Sequence, residues 1–241
     1  MNINEIEKAK WRILNELIKD EYSFSFETFK IFLRKIQNVE VILSSVADSE
    51  ILILLNDVNE KYKIEYKMPN QKNSFILDYP PILIENNFYF LKPVINLNGS
   101  RSDSEVIYTF YHELCHLLST SDWIYDSDNK CMMRRSGIME EVYEYGNGEV
   151  KRKDDKENRE LVYLNEFLNE YVAYYFWQKI EQKSENMNCL ANNNRMKKLL
   201  EEFIKVKFDN NVIDFIKAYI FNELFYEELG NYFGKSKDKW I

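Results

Sequence analysis

Only two histidines occur among 241 residues, and they stand four apart in His112-Glu113-Leu114-Cys115-His116. On an α-helix, residues i and i+4 lie one above the other on a single face. Two imidazoles placed that way can converge on one metal ion, with zinc–nitrogen distances of about 2.0–2.1 Å. Glu113 follows the first histidine and is turned from it by roughly 100°. Its carboxylate then sits beside the open coordination position, where it can take a proton from a metal-bound water. Cys115 lies off the histidine line and reads as a small core residue.

The spacing has this meaning only on a helix, and the flanks predict one. Ser102 and Glu105 fit the S-x-x-E capping box, and Asp103 adds negative charge at the N-terminal end. Val106, Ile107, Phe110, Tyr111, Leu114, Leu117 and Leu118 recur at three- and four-residue intervals as a wide apolar face. The remaining stripe, Glu105, Thr109, His112, His116 and Ser119, is a polar line on an otherwise apolar helix. Buried polar groups need partners, and a metal ion is the obvious one for a line holding every histidine. A chance match on an ordinary amphipathic helix is the alternative.

No third histidine exists to complete a ligand set, so carboxylates must be considered. Leu161 to Phe176 reads as a helix with Leu161, Leu164, Leu168, Val172 and Tyr175 as its apolar stripe. Glu166 and Glu170 share another face, with Ala173 close to that line, small enough to let a facing helix approach. Two like charges at i, i+4 cost a few tenths of a kcal/mol unless a cation offsets them. Helix geometry permits either glutamate as third ligand. In a chain with 40 acidic residues both can also be solvated surface charges.

His112-Glu113-Leu114-Cys115-His116, followed by Asn165-Glu166-Phe167-Leu168-Asn169-Glu170, resembles the gluzincin clan of zinc metallopeptidases. Thermolysin-like members carry H-E-x-x-H and then N-E-x-x-S-D on a second helix. The chain is also similar to short intracellular H-E-x-x-H proteins of low-GC bacteria, in which an L-N-E segment follows the active-site helix. The resemblance implies that Glu166 is the third ligand and that Glu170 replaces the aspartate orienting the first histidine through its other ring nitrogen. Asn169 takes the serine position. The 50-residue step from His116 to Glu166 is longer than in thermolysin, and the downstream histidine that stabilises the transition state there is missing. A tyrosine or arginine is expected in its place. The likeness covers residues 88–180.

Composition narrows the classes further. A net charge of −8 argues against a nucleic-acid binder, which would show a basic face. Three cysteines, Cys115, Cys131 and Cys189, form no C-x-x-C pair and suggest reduced thiols. The first residues mix Ile3, Ile6, Trp11, Ile13 and Leu14 with Glu5, Lys8, Lys10 and Arg12, so no secretion signal is read, and no apolar run is long enough to span a bilayer. A cytoplasmic protein without membrane or nucleic-acid partners is expected; oligomeric state is not legible.

Along the chain, helices are predicted near the N-terminus and over Phe24–Ile36, and a short β-rich run over Val39–Leu43. Ser49–Tyr66 fits helix in one half and strand in the other, and Met68–Ser74 reads as a loop. Phe75–Leu77, Ile82–Ile84 and Phe88–Leu97 read as strands separated by Pro80-Pro81 and Asn86-Asn87. Pro93 makes the last of these an edge strand, able to pair with an extended peptide. Ser121–Lys156 reads as polar and irregular, with a hairpin around Gly146-Asn147-Gly148; Cys131–Arg135 is a lid, a specificity loop or a solvated connection. Val150–Glu160 reads as a solvated lead-in to the Glu166 helix. After an Asn-rich linker at Asn186–Asn194 come amphipathic helices over Arg195–Phe208 and Val212–Phe233, then a charged tail.

The expected fold is α+β and zincin-like: a small, mainly antiparallel sheet, the active-site helix below it, and a mostly helical C-terminal half. Residues 1–185 would form the catalytic unit and 186–241 a helical extension, or the two one packed unit. The expected function is a zinc-dependent metallopeptidase acting on a peptide or protein, with His112, His116 and Glu166 on zinc, Glu113 as general base and Glu170 behind His112. A narrow-specificity regulatory protease, like those that cleave phage repressors in bacteria, is one form of it. The alternatives are a metal-bearing but non-hydrolytic zincin-fold module of immunity or partner-binding type, and a metal-free helical interaction protein.

Overall fold

The computed structural model describes residues 2–19, 25–44, 60, 74–146, 149–153, 156–183, 194–221, 228, 229 and 232. The expectations for 49–66 and for the 186–194 linker therefore lie outside the described residues, apart from Glu60 and Asn194. The chain starts with two amphipathic helices, α1 (Ile3–Leu17) and α2 (Phe26–Asn38). Side-chain oxygens of Asn2 and Ser25 accept the free N–H groups of Glu5 and Thr28 at their starts, caps worth about 1 kcal/mol each. Ile6, Ile13 and Leu17 of α1 and Phe32 and Ile36 of α2 are buried in the main core.

Five short strands follow: β1 (Glu40–Ser44), β2 (Phe75–Leu77), β3 (Ile82–Ile84), β4 (Asn87–Tyr89) and β5 (Val94–Asn98). β5 lies between β1, which it meets in parallel, and β2, which it meets antiparallel. β3 and β4 form a separate hairpin whose two turn residues, Glu85 and Asn86, both have positive φ (49° and 65°), as a type I′ connection requires. The expected edge strand over Phe88–Leu97 is corrected here. Its first part belongs to the hairpin, and its second part is the central strand of the three. Pro93 stands just ahead of Val94, so its missing N–H falls outside the ladder, while its carbonyl still accepts from Glu40 N at 2.9 Å. Among the described strands, β1 and β2 are therefore the outer strands of this sheet.

Next comes α3 (Asp103–Leu118), carrying both histidines. Ser102 and Glu105 close the capping box in both directions. The region expected to be irregular is a four-stranded antiparallel meander: β6 (Ile124–Asp126), β7 (Cys131–Ser136), β8 (Met139–Gly146) and β9 (Glu149–Arg152). Its polarity hid the strands. Arg134 faces Glu141, Arg135 faces Glu140 and Glu144 faces Lys151 across the ladders, and such opposed pairs stabilise a sheet as apolar pairs do. Cys131–Arg135 is thus neither a lid nor a loose connection, and Val150 is a buried strand residue. Gly146 pairs with Glu149 across the expected hairpin, whose two turn residues lie outside the described part.

The helices α4 (Lys156–Glu181), α5 (Asn194–Lys207) and α6 (Val212–Ile220) complete the described fold, which is α+β with small, antiparallel-rich sheets. Leu200 and Phe203 of α5 and Phe215 and Tyr219 of α6 join the same buried cluster as Phe110, Leu114 and Leu118 of α3 and Leu168 and Val172 of α4. Among the described residues no helix is long and apolar enough to cross a membrane.

Lys35 of α2 is buried and donates to the carbonyls of Leu118, at 3.2 Å, and Thr120. The first is among the carbonyls that a helix end leaves without partners, and the second lies just beyond that end. Burial pushes its pKa down from 10.5 to about 8. Between those values the unfolded chain binds more protons than the folded one, so the penalty present below about 8 is relieved as pH rises to 10.5. Urea unfolding across that window should show this rise in wild type and not in Lys35→Met. Parallel curves would assign the lysine an ordinary pKa.

Candidate metal centre

The contacts between α3 and α4 run in opposite chain directions, so the two helices are antiparallel. Tyr111 Oη donates to Glu181 (2.6 Å), Tyr108 packs edge-on against Trp177 at 5.7 Å, and His116 meets Asn169. Both histidines face α4 from the line that the four-residue spacing prescribes.

Their Nε2 atoms are 3.1 Å apart. Glu166 Oε2 stands 3.3 Å from His116 Nε2 and 3.4 Å from His112 Nε2. Three ligands at about 2.0–2.1 Å from a tetrahedral centre are separated by about 3.3–3.4 Å. The triangle therefore has the edge lengths of a ligand set, and His112, His116 and Glu166 form a group that could hold a metal ion. The imidazole side chains are 16% and 13% exposed, while Glu166 is 52% exposed and stands at the opening.

The other ring nitrogens are held from behind. His112 Nδ1 lies 2.7 Å from Glu170 Oε2, and the hydroxyl of Tyr108 donates to the same carboxylate through its second oxygen. His116 Nδ1 lies 2.7 Å from the carboxamide of Asn169, which is fully buried. With Nε2 turned to an ion, each Nδ1 carries the proton and requires an acceptor. Glu170 is one, and Asn169 becomes one with its amide oxygen turned to the ring.

Charge in the site favours a cation. Burial alone would lower the pKa of His112, but hydrogen bonding to Glu166 and Glu170 and the charge of Glu113 raise it to about 10. Burial pushes the carboxyl of Glu166 up, and the two histidines more than reverse this, holding it well below the usual range. Glu113 is buried, and burial raises its pKa against the opposing pull of both histidines. A carboxylate with raised proton affinity is the better proton acceptor. Cys115 is fully buried, its thiol pushed up by burial, and takes no part in the ligand triangle.

The site opens into a cleft of about 440 Å³ lined by Phe75 and Ile76 of β2, by Tyr79 and Arg134, and by His112, Glu113, His116 and Glu166. Sequence reading named five site residues, His112, Glu113, His116, Glu166 and Glu170, and the structure brings all five together. It missed Tyr108, and it placed Asn169 only by resemblance, without its contact to His116. Tyr108 had a signal in the sequence, since it lies four residues before His112 on the histidine side of the helix. It also missed Arg134, buried between Asp78 and Glu141 with its guanidinium 4.1 Å over the Trp123 ring; nothing local in the sequence marks it.

Two outcomes are expected for metal binding. Glu166→Gln should nearly abolish tight binding, whereas Glu170→Gln, which alters only the support of a ligand, should cost about 10–100-fold in affinity. Competition with a fluorescent chelator ranks the two, and the reverse order would move the ligand one helical turn. Glu166 and Glu170 favour the protonated form of His112, and coordination displaces that proton, so titrating zinc into weakly buffered protein should liberate about one proton per ion. Uptake without acidification would mean that His112 is neutral beforehand.

No protein-family model, curated protein or solved structure gives a significant match to this chain.

Proposed function

We propose that this protein is a zinc-dependent metallopeptidase. The observation that carries the proposal is the ligand triangle of His112, His116 and Glu166 with Glu113 buried beside it in an open cleft. Two histidines and one carboxylate with a vacant fourth position are the donor set of catalytic zinc, whereas structural zinc sites are closed by four protein ligands. A bound zinc ion would supply an acidified water at neutral pH and a Lewis acid for the scissile carbonyl. Glu113 accepts the proton at its carboxylate and delivers it to the leaving amine. His112, His116 and Glu166 fix the geometry, with Glu170 and Asn169 holding the rings in the tautomer this needs.

The cleft suits an extended chain. β2 is an outer strand among the described residues and lines the cleft with the histidines, and main-chain pairing along it would lay a peptide across the site. A second cavity of about 450 Å³ adjoins the first through Asp78, Tyr79, Leu117, Thr120 and Arg134, with Phe90 and Trp123 farther along its lining. It has room for a large substrate side chain next to the bond being cut.

The test is a peptide-library digest by zinc-loaded protein. Glu113→Gln should keep its metal and its fold and lose about 10²–10⁴-fold in kcat/KM, as removal of a general base does. A zinc-loaded wild type that cleaves no peptide or protein would replace the proposal with a non-hydrolytic metal module, and a protein that takes up no metal would remove both.

A further inference from the structure

One side chain of α6, the last long helix described, meets both ligand-bearing helices. Tyr219 is fully buried, and its hydroxyl donates to Asn165 Oδ1 at 3.3 Å. The same oxygen accepts the backbone N–H of Ile138 at 3.2 Å. Asn165 is itself buried and immediately precedes Glu166. On its other side the phenol interacts with the hydroxyl of Ser119, the residue that ends α3. Ser119 Oγ donates to the carbonyl of His116 at 3.1 Å, and its own carbonyl accepts from Gly137 N at 2.9 Å.

Gly137 makes the turn between β7 and β8 with φ +59°. A Cβ there would stand 2.1 Å from Asn165 Oδ1 and 2.7 Å from Tyr219 Oη. Only glycine lets the turn seat this deeply, both for its φ and for the space. The β7–β8 turn, the end of the histidine helix and the residue before the third ligand thus converge on one phenol.

We infer that Tyr219 is a positioning residue, whose hydroxyl sets the register of Asn165, and through it Glu166, against the histidine helix. The amide oxygen of Asn165 has two lone pairs. One ties α4 to the sheet turn and the other ties it to α6. With the second bond removed, α4 can pivot about the first at the position next to Glu166. Glu166 is the exposed corner of the ligand triangle and has the least packing of its own to resist this. Phe215 stacks on the Tyr219 ring at 6.3 Å between centroids, so the aromatic packing survives loss of the hydroxyl.

The test compares Tyr219→Phe with Phe215→Leu, which disturbs the same helix without touching the hydroxyl. The first readout is the ¹⁵N signals of the imidazoles in metal-free protein, where two histidines leave no ambiguity. The second is zinc affinity by chelator competition, with the visible spectrum of the cobalt-substituted protein. Tyr219→Phe should shift the imidazole signals, alter the cobalt bands and weaken zinc binding about tenfold, with its circular dichroism unchanged. Phe215→Leu should lower Tm and leave the site signals in place. Wild-type imidazole signals and zinc affinity in Tyr219→Phe would overturn the inference, and so would equal disturbance of the site by both variants. The zinc readout rests on the metal-centre reading, whereas the imidazole readout does not. If the wild-type protein takes up no zinc, the peptidase proposal falls and the imidazole signals alone decide the role of Tyr219.

Discussion

Ionisable groups confined between two antiparallel helices set the terms for this structure. Glu113 is buried, Glu170 is 15% exposed and both imidazoles are nearly enclosed. Removing carboxylates from water costs several kcal/mol per ion unless opposite charge and hydrogen bonds compensate. Three carboxyl groups face two imidazoles here, so groups that can carry negative charge outnumber those that can carry positive charge. A divalent cation would correct that deficit at the point where three donor atoms stand at tetrahedral spacing. The rest of the chain has to keep the two helices close enough for this to hold. Tyr111 and Arg12 share Glu181 at one end, which ties α3 and α4 to α1. Tyr108 and Glu170 do so in the middle, and Asn165, Ser119 and Tyr219 at the other end.

The cleft depends on a second charge arrangement. Arg134 of β7 pairs with Glu141 of β8 at 2.7 Å and with Asp78, one residue beyond β2. It therefore links the charge-paired meander to the three-stranded sheet beside the histidines. Breaking one partner of a buried pair leaves the other uncompensated, so the two sheets are joined firmly where the cleft needs a fixed wall. Lys35 does the corresponding work at the end of α3, meeting carbonyls just beyond His116.

Local signals carried the reading of the site a long way, because helices write their contacts at short range. The capping box at Ser102, the four-residue histidine spacing and the apolar stripe of α4 are all features of neighbouring residues. The meander was illegible for the opposite reason. Its strands set opposite charges across from one another, such as Arg135 with Glu140 and Glu144 with Lys151, and a charged residue looks the same in sequence whether it faces a strand or water. Pro93 misled in a similar way. It excludes a donor at one position only, and the structure places that position one residue outside the ladder. The role of the Tyr219 hydroxyl had no local trace, since Tyr219 is one of 17 tyrosines and its hydrogen-bond partner Asn165 lies 54 residues away.

Glu166 and Glu170 show most directly what the three-dimensional setting adds. They are the same residue type, one helical turn apart, and helix geometry offers both to the histidine helix. Their partners separate them. Glu170 is enclosed, with one oxygen fixed by Tyr108 and the other against Nδ1 of His112. Both oxygens are thereby committed to orienting a ring, and neither is aimed at the point where the Nε2 atoms meet. Glu166 stands at the mouth, with Oε2 nearly equidistant from both Nε2 atoms. A carboxylate with that freedom on its solvent side can adjust as a ligand while a substrate enters, which an enclosed one cannot do. Half exposed, Glu166 has less packing of its own than Glu170, so its placement depends more on the backbone beside it, at Asn165.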